Sequence, residues 1–257
     1  MDHLFSKTGS VYTPTAYAAG PFGNLHGGAA AAIMASAVLD HIPPGFFPVS
    51  QRSEFLRSTP LSDLEVAVTQ VRDGKTQLVF DATIKSKGSD QVSARTSISF
   101  YKPVETELIE PTTLKPWGGH TDPNSMMTAP DMPSPSGAEK WMICATDVRT
   151  EMKGVFWFRW RGALVEGQTN HWFTRLVGPS DWVGGFIAPG FPMPSKVGVW
   201  PNTDLSVQVD RPLIGDWIGL RPRGQYRREG LGQAHAELFD QAGRLGNALA
   251  SVISPLR

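Results

Sequence analysis

The stretch "NLHGGAAAAIMASAVLDH", residues 24–41, holds no charged side chain between His26 and Asp40. From Gly27 to Leu39 it is small or apolar all the way round, with Ser36 the one polar side chain, and Pro43-Pro44 close it off. A helix that is apolar on every face is either buried or in a membrane. Spanning a bilayer takes about 18 or more apolar residues, and this run is shorter. The reading is a buried helix whose alanines let other elements approach closely on every side.

The segments beyond the helix supply a wrapper. "LEVAVTQVR" (64–72) alternates apolar and polar, and Asp73-Gly74 offers a hairpin turn. "QLVFDATIK" (77–85) and "VSARTSISFYK" (92–102) are two further strands, with a turn near Lys87-Gly88-Ser89. "SEFLRS" (53–58) and a segment at 11–17 add to the set. The order is strand, buried helix, antiparallel meander, which a sheet curled round one central helix satisfies. The second part of the chain repeats the theme. Its strands are "VFWFRWR" (155–161), "TDLSVQVDRPL" (203–213), "WIGLRPR", "GQAHAELF" and "LGNALASVIS", with a turn at 240–244 and a helix expected between 168 and 177. Residues 104–140, rich in Pro, Gly, Ser and Thr without sustained periodicity, read as a linker. The expected organisation is therefore 1–103, a linker at 104–140, and 141–257, related by internal duplication.

Bulk properties narrow the function. The 257 residues carry 24 Lys+Arg against 24 Asp+Glu, so no electrostatic footprint for nucleic acid or an anionic membrane is visible. Cys144 is the single cysteine, which excludes an intramolecular disulfide and fits a reducing compartment. The opening "MDHLFSKTGSVYTPT" lacks a signal-peptide pattern, so the expected location is cytoplasmic. There is no G-x-S-x-G elbow and no Cys-x-x-Cys or His-Glu-x-x-His spacing. "DGKT" (73–76) ends like a phosphate loop, but Thr69 stands where its first glycine belongs. No metal and no cofactor are expected.

"NLHGG" (24–28) and the C-terminal run from "TDLSVQVDRPL" to "QAGRLGNALAS" resemble the acyl-CoA thioesterase II family and its thioesterase-like relatives. The carrying features of the second segment are an Asp opening a strand, an Arg-Pro, an Asp-Trp and a D-x-x-G-R-L turn. The resemblance implies an α+β double hotdog, in which each half is an antiparallel sheet wrapped round a central helix. It also implies hydrolysis of acyl-CoA to free acid and CoA, and a homo-oligomer, a dimer or larger. In that family an aspartate, a Thr or Ser and a Gln hold the hydrolytic water. Asp204 falls on the aspartate. At the hydroxyl position the chain has Gln225, and near the Gln position it has Ser254, so these two roles are departures from the pattern.

The chemistry gives the helix mouth a meaning. A thioester oxygen gains negative charge when water attacks, and a helix N-terminus offers unpaired N–H groups and a positive dipole end. The expected oxyanion donor is the Gly28 N–H, with Gly27 permitting close approach and Asn24 or His26 adding a donor. The plainer reading is a tight turn at Gly27-Gly28 with His26 as a structural cap. The expected general base is Asp204. An alternative is a non-catalytic acyl-thioester binding protein or a hotdog enzyme of hydratase type, for which no Asp/His pair is evident in the sequence.

Overall fold

The structure is a computed structural model that describes residues 3–104, 146–150, 154–187 and 200–254. The expected linker beyond Val104, and Cys144, lie outside the described residues. The first part of the chain runs β1 (His3–Thr8), β2 (Val11–Pro14), α1 (Gly27–Leu39), β3 (Phe47–Phe55), β4 (Leu64–Asp73), β5 (Gln77–Ser86) and β6 (Val92–Tyr101). The second runs β7 (Thr146–Thr150), β8 (Phe156–Trp160), β9 (Ala163–Val165), α2 (Trp172–Ser180), β10 (Asp204–Val209), β11 (Ile218–Arg228), β12 (Leu231–Asp240) and β13 (Gly243–Ile253). The class is α+β, mostly sheet with few helices.

All these strands join one sheet in the order β7-β8-β11-β12-β13-β10-β3-β6-β5-β4-β2-β1-β9. The two parts of the chain meet where β10 pairs antiparallel with β3, Asp204 opposite Glu54 and Val207 opposite Gln51. Only Arg161 and Gly162 separate β8 from β9, yet β9 lies at the far end of the order, beside β1. The sheet therefore wraps round on itself. The β1–β9 pairing is parallel, with His3 opposite Ala163 and Phe5 opposite Val165, which corrects the expectation of an all-antiparallel sheet. A short edge strand reached from the opposite end of the sheet has no reason to run antiparallel, since no hairpin joins the two.

α1 is the buried element its composition predicts: Gly28 to Ala35, Ala37 and Val38 are all buried. It packs on β4, β5 and β6 and against α2. Burying a side chain such as Ile33 or Met34 stabilises by roughly 1.5–3 kcal/mol, and the alanines let the sheet and α2 close in. Beneath α1, Gln51 of β3 donates through Nε2 to the Ala31 carbonyl and to Ser53 Oγ, both at 3.0 Å.

Several boundaries move. The strand expected at 53–58 is β3, which begins at Phe47 and ends at Phe55. The segment at 11–17 divides into β2 and a 3-10 turn at Ala16–Ala18. The second helix starts at Trp172 because the Asn170 side chain closes the preceding turn, accepting from Leu164 N at 2.6 Å and donating to Gly162 O at 2.9 Å. The D-x-x-G-R-L turn is held by a fully buried Asp240, which accepts from Arg211 Nη2 at 2.8 Å and from the N–H groups of Ile214 and Ala242 at 2.8 Å. Among the described residues no helix is long and apolar enough to cross a membrane.

Candidate active site

His26 is the N-cap of α1, in extended conformation, with Nδ1 3.0 Å from the Gly28 N–H. A second group reaches the same N–H. Asp181, the C-cap of α2, places Oδ2 2.9 Å from Gly28 N and 3.3 Å from His26 Nδ1. α2 thus ends where α1 begins, and a carboxylate lies at the positive end of the α1 dipole, where an anion is stabilised. Asn202, just ahead of β10, donates from Nδ2 to Asp181 Oδ1 at 2.6 Å and to the Asp181 carbonyl at 2.8 Å. The Trp182 ring lies 5.6 Å from that of His26, and Phe158 stacks on Trp182 at 6.5 Å.

The glycines explain the approach. A Cβ on Gly28 would lie 2.2 Å from the Gly178 carbonyl oxygen of α2. One on Gly27 would meet Asp181 Oδ2 at 2.9 Å and the Phe55 ring at 3.1 Å. Bare backbone at this point admits the last turn of α2 and its carboxylate.

Burial decides the ionisation. The side chains of His26 and Asp181 are 8% and 6% exposed. Burial pushes the His26 imidazole below its ordinary value, with the charge of Asp181 opposing that shift. His26 is therefore a neutral imidazole at neutral pH, capable of taking up a proton.

The residues singled out from sequence fall into three groups. Gly27, Gly28 and His26 form the α1 mouth, where the Gly28 N–H is engaged by Asp181 and His26. Asn24 lies in the turn before it, its carbonyl accepting from Gly20 N at 2.6 Å. Asp204 opens β10, and its Oδ1 accepts from Ser251 N at 2.9 Å. The alternation of β10 buries Leu205, Val207 and Val209 and leaves Asp204 with Ser206 and Gln208 on the other face. Among the described residues no hydrogen bond joins Asp204 to His26, Gly28 or Asp181. Ser254 donates its N–H to Gly230 O at 2.7 Å, at the end of the β12–β13 hairpin. Gln225 pairs with Ala234 along the β11–β12 ladder, and its side chain lies outside the described residues.

Asp181 and Asn202 carried no sequence signal. "GPSDWVGG" (178–185) holds a lone acid outside any motif, and that acid becomes notable only once α2 docks on Gly28.

The comparisons agree with this architecture. The acyl-CoA thioesterase N-terminal domain family matches residues 17–101, and the acyl-CoA thioesterase C-terminal domain family matches 101–247. A proposed thioesterase from Novosphingobium aromaticivorans is similar with a TM-score of 0.74 at 19% identity, covering 98% of this chain and 99% of that one. The acyl-CoA thioesterase II TesB2 from Mycobacterium marinum is similar with a TM-score of 0.71 at 15% identity, covering 98% and 96%. A hot dog fold protein from Alicyclobacillus acidocaldarius is similar with a TM-score of 0.67 at 16% identity, over 98% and 96%. No match to a curated protein was found. With the two family matches together spanning most of its length, and with the structural likenesses agreeing in fold, the chain belongs to the acyl-CoA thioesterase family, whose members are thioester hydrolases.

Proposed function

We propose that the chain is a double hotdog that hydrolyses acyl-CoA thioesters to free acid and CoA by direct attack of water, at the N-terminal mouth of α1. One observation carries the location. The mouth gathers an imidazole, a buried carboxylate and a helix N–H from both parts of the chain within 3.3 Å of one another. Neutral imidazole next to a carboxylate is suited to moving a proton at neutral pH.

The resemblance directs water activation to Asp204, with Gln225 and Ser254 beside it and the carbonyl at Gly28. What supports Asp204 is its place at the opening of β10 and an Oδ2 without a hydrogen bond among the described residues. What weighs against joining it to Gly28 is that no hydrogen bond links the two, and the Gly28 N–H already serves Asp181. The geometry favours the α1 mouth. The test is thiol release from a panel of acyl-CoA esters of different chain length, with turnover expected for at least one. A panel with no turnover above buffer overturns the reading.

The His26–Asp181 pair also favours a second reading, a hydratase acting on 2-enoyl-CoA, because that chemistry asks for an acid and a base on one face of the substrate. Loss of enoyl absorbance without thiol release would select it.

A further inference from the structure

"FRWRG" (158–162) sets two arginines two positions apart at the end of β8. Both reach Asp147 of β7, which stands opposite Arg159 in the ladder. Arg159 donates to Asp147 Oδ2 through Nε at 3.2 Å and Nη2 at 2.7 Å, and Arg161 Nε donates to Oδ1 at 2.8 Å. Burial pushes the Asp147 carboxyl up, but the bonds from the two guanidiniums outweigh it and hold the group below the usual carboxylate range. Asp147 is therefore ionised at neutral pH, and one negative charge is divided between two positive ones. From the other side comes Arg175 of α2, whose Nη2 donates to Gly215 O at 2.6 Å and to Asp216 Oδ1 at 3.0 Å.

These three arginines line a cleft of about 330 Å³ together with Trp160 and Asp216. That volume is at the small end for a ligand site, and the charged lining suits an anionic head rather than an acyl chain. Against Asp147 and Asp216, the three guanidiniums leave an excess of one positive charge. Asp216 is a weak competitor, because its side chain is 74% exposed and an ion pair so open to water is readily exchanged. Donors also remain. A guanidinium carries five N–H groups, and among the described residues Arg161 engages only Nε and Arg175 only Nη2. Planar forks of this kind bind phosphate oxygens two at a time. The positive end of the α2 dipole lies beside the same cleft, whose rim includes Thr169 and Asn170.

Resting on the hydrolysis reading above, we infer that this cleft holds the phosphates at the nucleotide end of CoA, with Arg161 and Arg175 as donors and Asp147 holding Arg161 in place through its shared bond to Arg159. Asp216 turns out to solvent as the anion enters. The cleft and the α1 mouth lie toward opposite ends of one helix. From Arg175, near the start of α2, to Asp181, its C-cap, the helical rise is about 9 Å. The pantetheine arm of CoA has about twelve bonds in line between phosphate oxygen and sulfur, as many as four extended residues, and so reaches roughly 13–14 Å. One molecule is therefore long enough to leave its phosphates in the cleft and carry its thioester to the α1 mouth. α2 serves as the ruler between them.

The probes are CoA, pantetheine and adenosine 3′,5′-bisphosphate, titrated calorimetrically into the full chain beside steady-state thiol release. The parent should bind CoA, and bind pantetheine, which lacks the nucleotide, at least about tenfold more weakly. Arg161→Gln and Arg175→Gln should each weaken CoA binding by about ten- to a hundredfold, the range for one hydrogen bond to a charged group. Each should raise KM for acyl-CoA by a similar factor and leave the affinity for pantetheine as in the parent. Arg161 is half-exposed, so its variant probes the cleft without disturbing the core. Asp216→Asn removes the competing anion and should tighten CoA binding. Arg52→Gln deletes the same charge on β3, five strands from β8 in the sheet, and should bind CoA like the parent. The bisphosphate should inhibit in competition with acyl-CoA. CoA affinity and KM unchanged in both Arg161→Gln and Arg175→Gln overturn this assignment alone, as does inhibition by the bisphosphate that acyl-CoA fails to relieve. A parent that binds CoA with this arginine dependence yet releases no thiol from any ester overturns the hydrolysis reading and leaves the phosphate site standing.

Discussion

The mouths of α1 and α2 are capped alike, by a histidine whose Nδ1 meets the N–H two residues on, at 3.0 Å for His26 and 3.1 Å for His171. Each helix also ends on an aspartate, Asp40 and Asp181. At the α1 mouth, Asp181 has docked on Gly28 and the cluster is buried. The other pair stays apart. His171 is exposed, and Asp40 is exposed and bonded to Lys7 Nζ at 3.0 Å. The residues after each histidine account for the difference. Gly27-Gly28 let the last turn of α2 come into contact, whereas Trp172-Phe173 hold other backbone off. The α2 end opens instead on a cleft of about 330 Å³ lined by Arg159, Arg161, Arg175 and Asp216. The glycines thus serve the approach of one helix to the other, and the chemistry of the mouth is assembled by that docking.

Substitutions at the two glycines test this directly. Gly28→Val puts a Cβ onto the Gly178 carbonyl, an overlap of backbone on backbone that no rotamer relieves. The expected loss is about 3 kcal/mol or more, the upper end of overpacking, read as a lower urea midpoint. A wild-type midpoint would mean that the helices do not meet this closely. Gly27→Ala is milder, because its Cβ meets the carboxylate of Asp181 and the Phe55 ring. The carboxylate must give way, and since small displacements at a reacting group cost up to about a hundredfold, turnover should fall about tenfold or more with a modest change in stability. Unchanged turnover would show that the position of Asp181 is not critical.

Asp204→Asn sharpens the contrast between resemblance and geometry. Asparagine keeps an oxygen to accept from Ser251 N, so the end of the β10–β13 ladder survives. If Asp204 were the base, turnover would fall by about two to four powers of ten. Because no hydrogen bond ties Asp204 to His26, Gly28 or Asp181 among the described residues, less than about a tenfold change is expected. A large fall with intact acyl-CoA binding would restore Asp204 to the centre of the mechanism.

Legibility in the sequence depends on which forces act locally. α1 is legible because thirteen residues without charge leave burial as the sole outcome, and β4 to β6 are legible because alternation and the Asp73-Gly74 turn are local signals. β1 escapes because "HLFSKT" gains its burial from β2 on one side and from β9, distant in sequence, on the other. The start of α2 shifts because Asn170 closes its turn onto residues the helical pattern does not touch. In the candidate site, His26, Gly27 and Gly28 stand out as a motif. Asp181 and Asn202 do not, because a lone acid at a helix end and an Asn before a strand become a cluster only through packing between the two parts of the chain.

The smallest expected effect separates the two rings by their stability. Both His26 and His171 titrate below the ordinary imidazole value, His26 by burial against the opposing charge of Asp181, His171 by burial alone. Above about pH 6.5 each ring is neutral in folded and unfolded chain, and neither contributes to pH dependence. As pH falls below that value the unfolded chain takes up protons that the folded rings refuse, until the lowered folded values are reached. Stability should therefore decline with falling pH across that window. Urea midpoints measured between about pH 7.5 and 5.5, the range in which histidine changes charge, should show the decline in the parent. His26→Gln should flatten it more than His171→Gln, because the α1 ring is almost wholly buried and the α2 ring is only partly covered. Equal flattening would mean that docking Asp181 on Gly28 closes the α1 mouth no more tightly than the α2 mouth, and the contrast between the two ends would be lost.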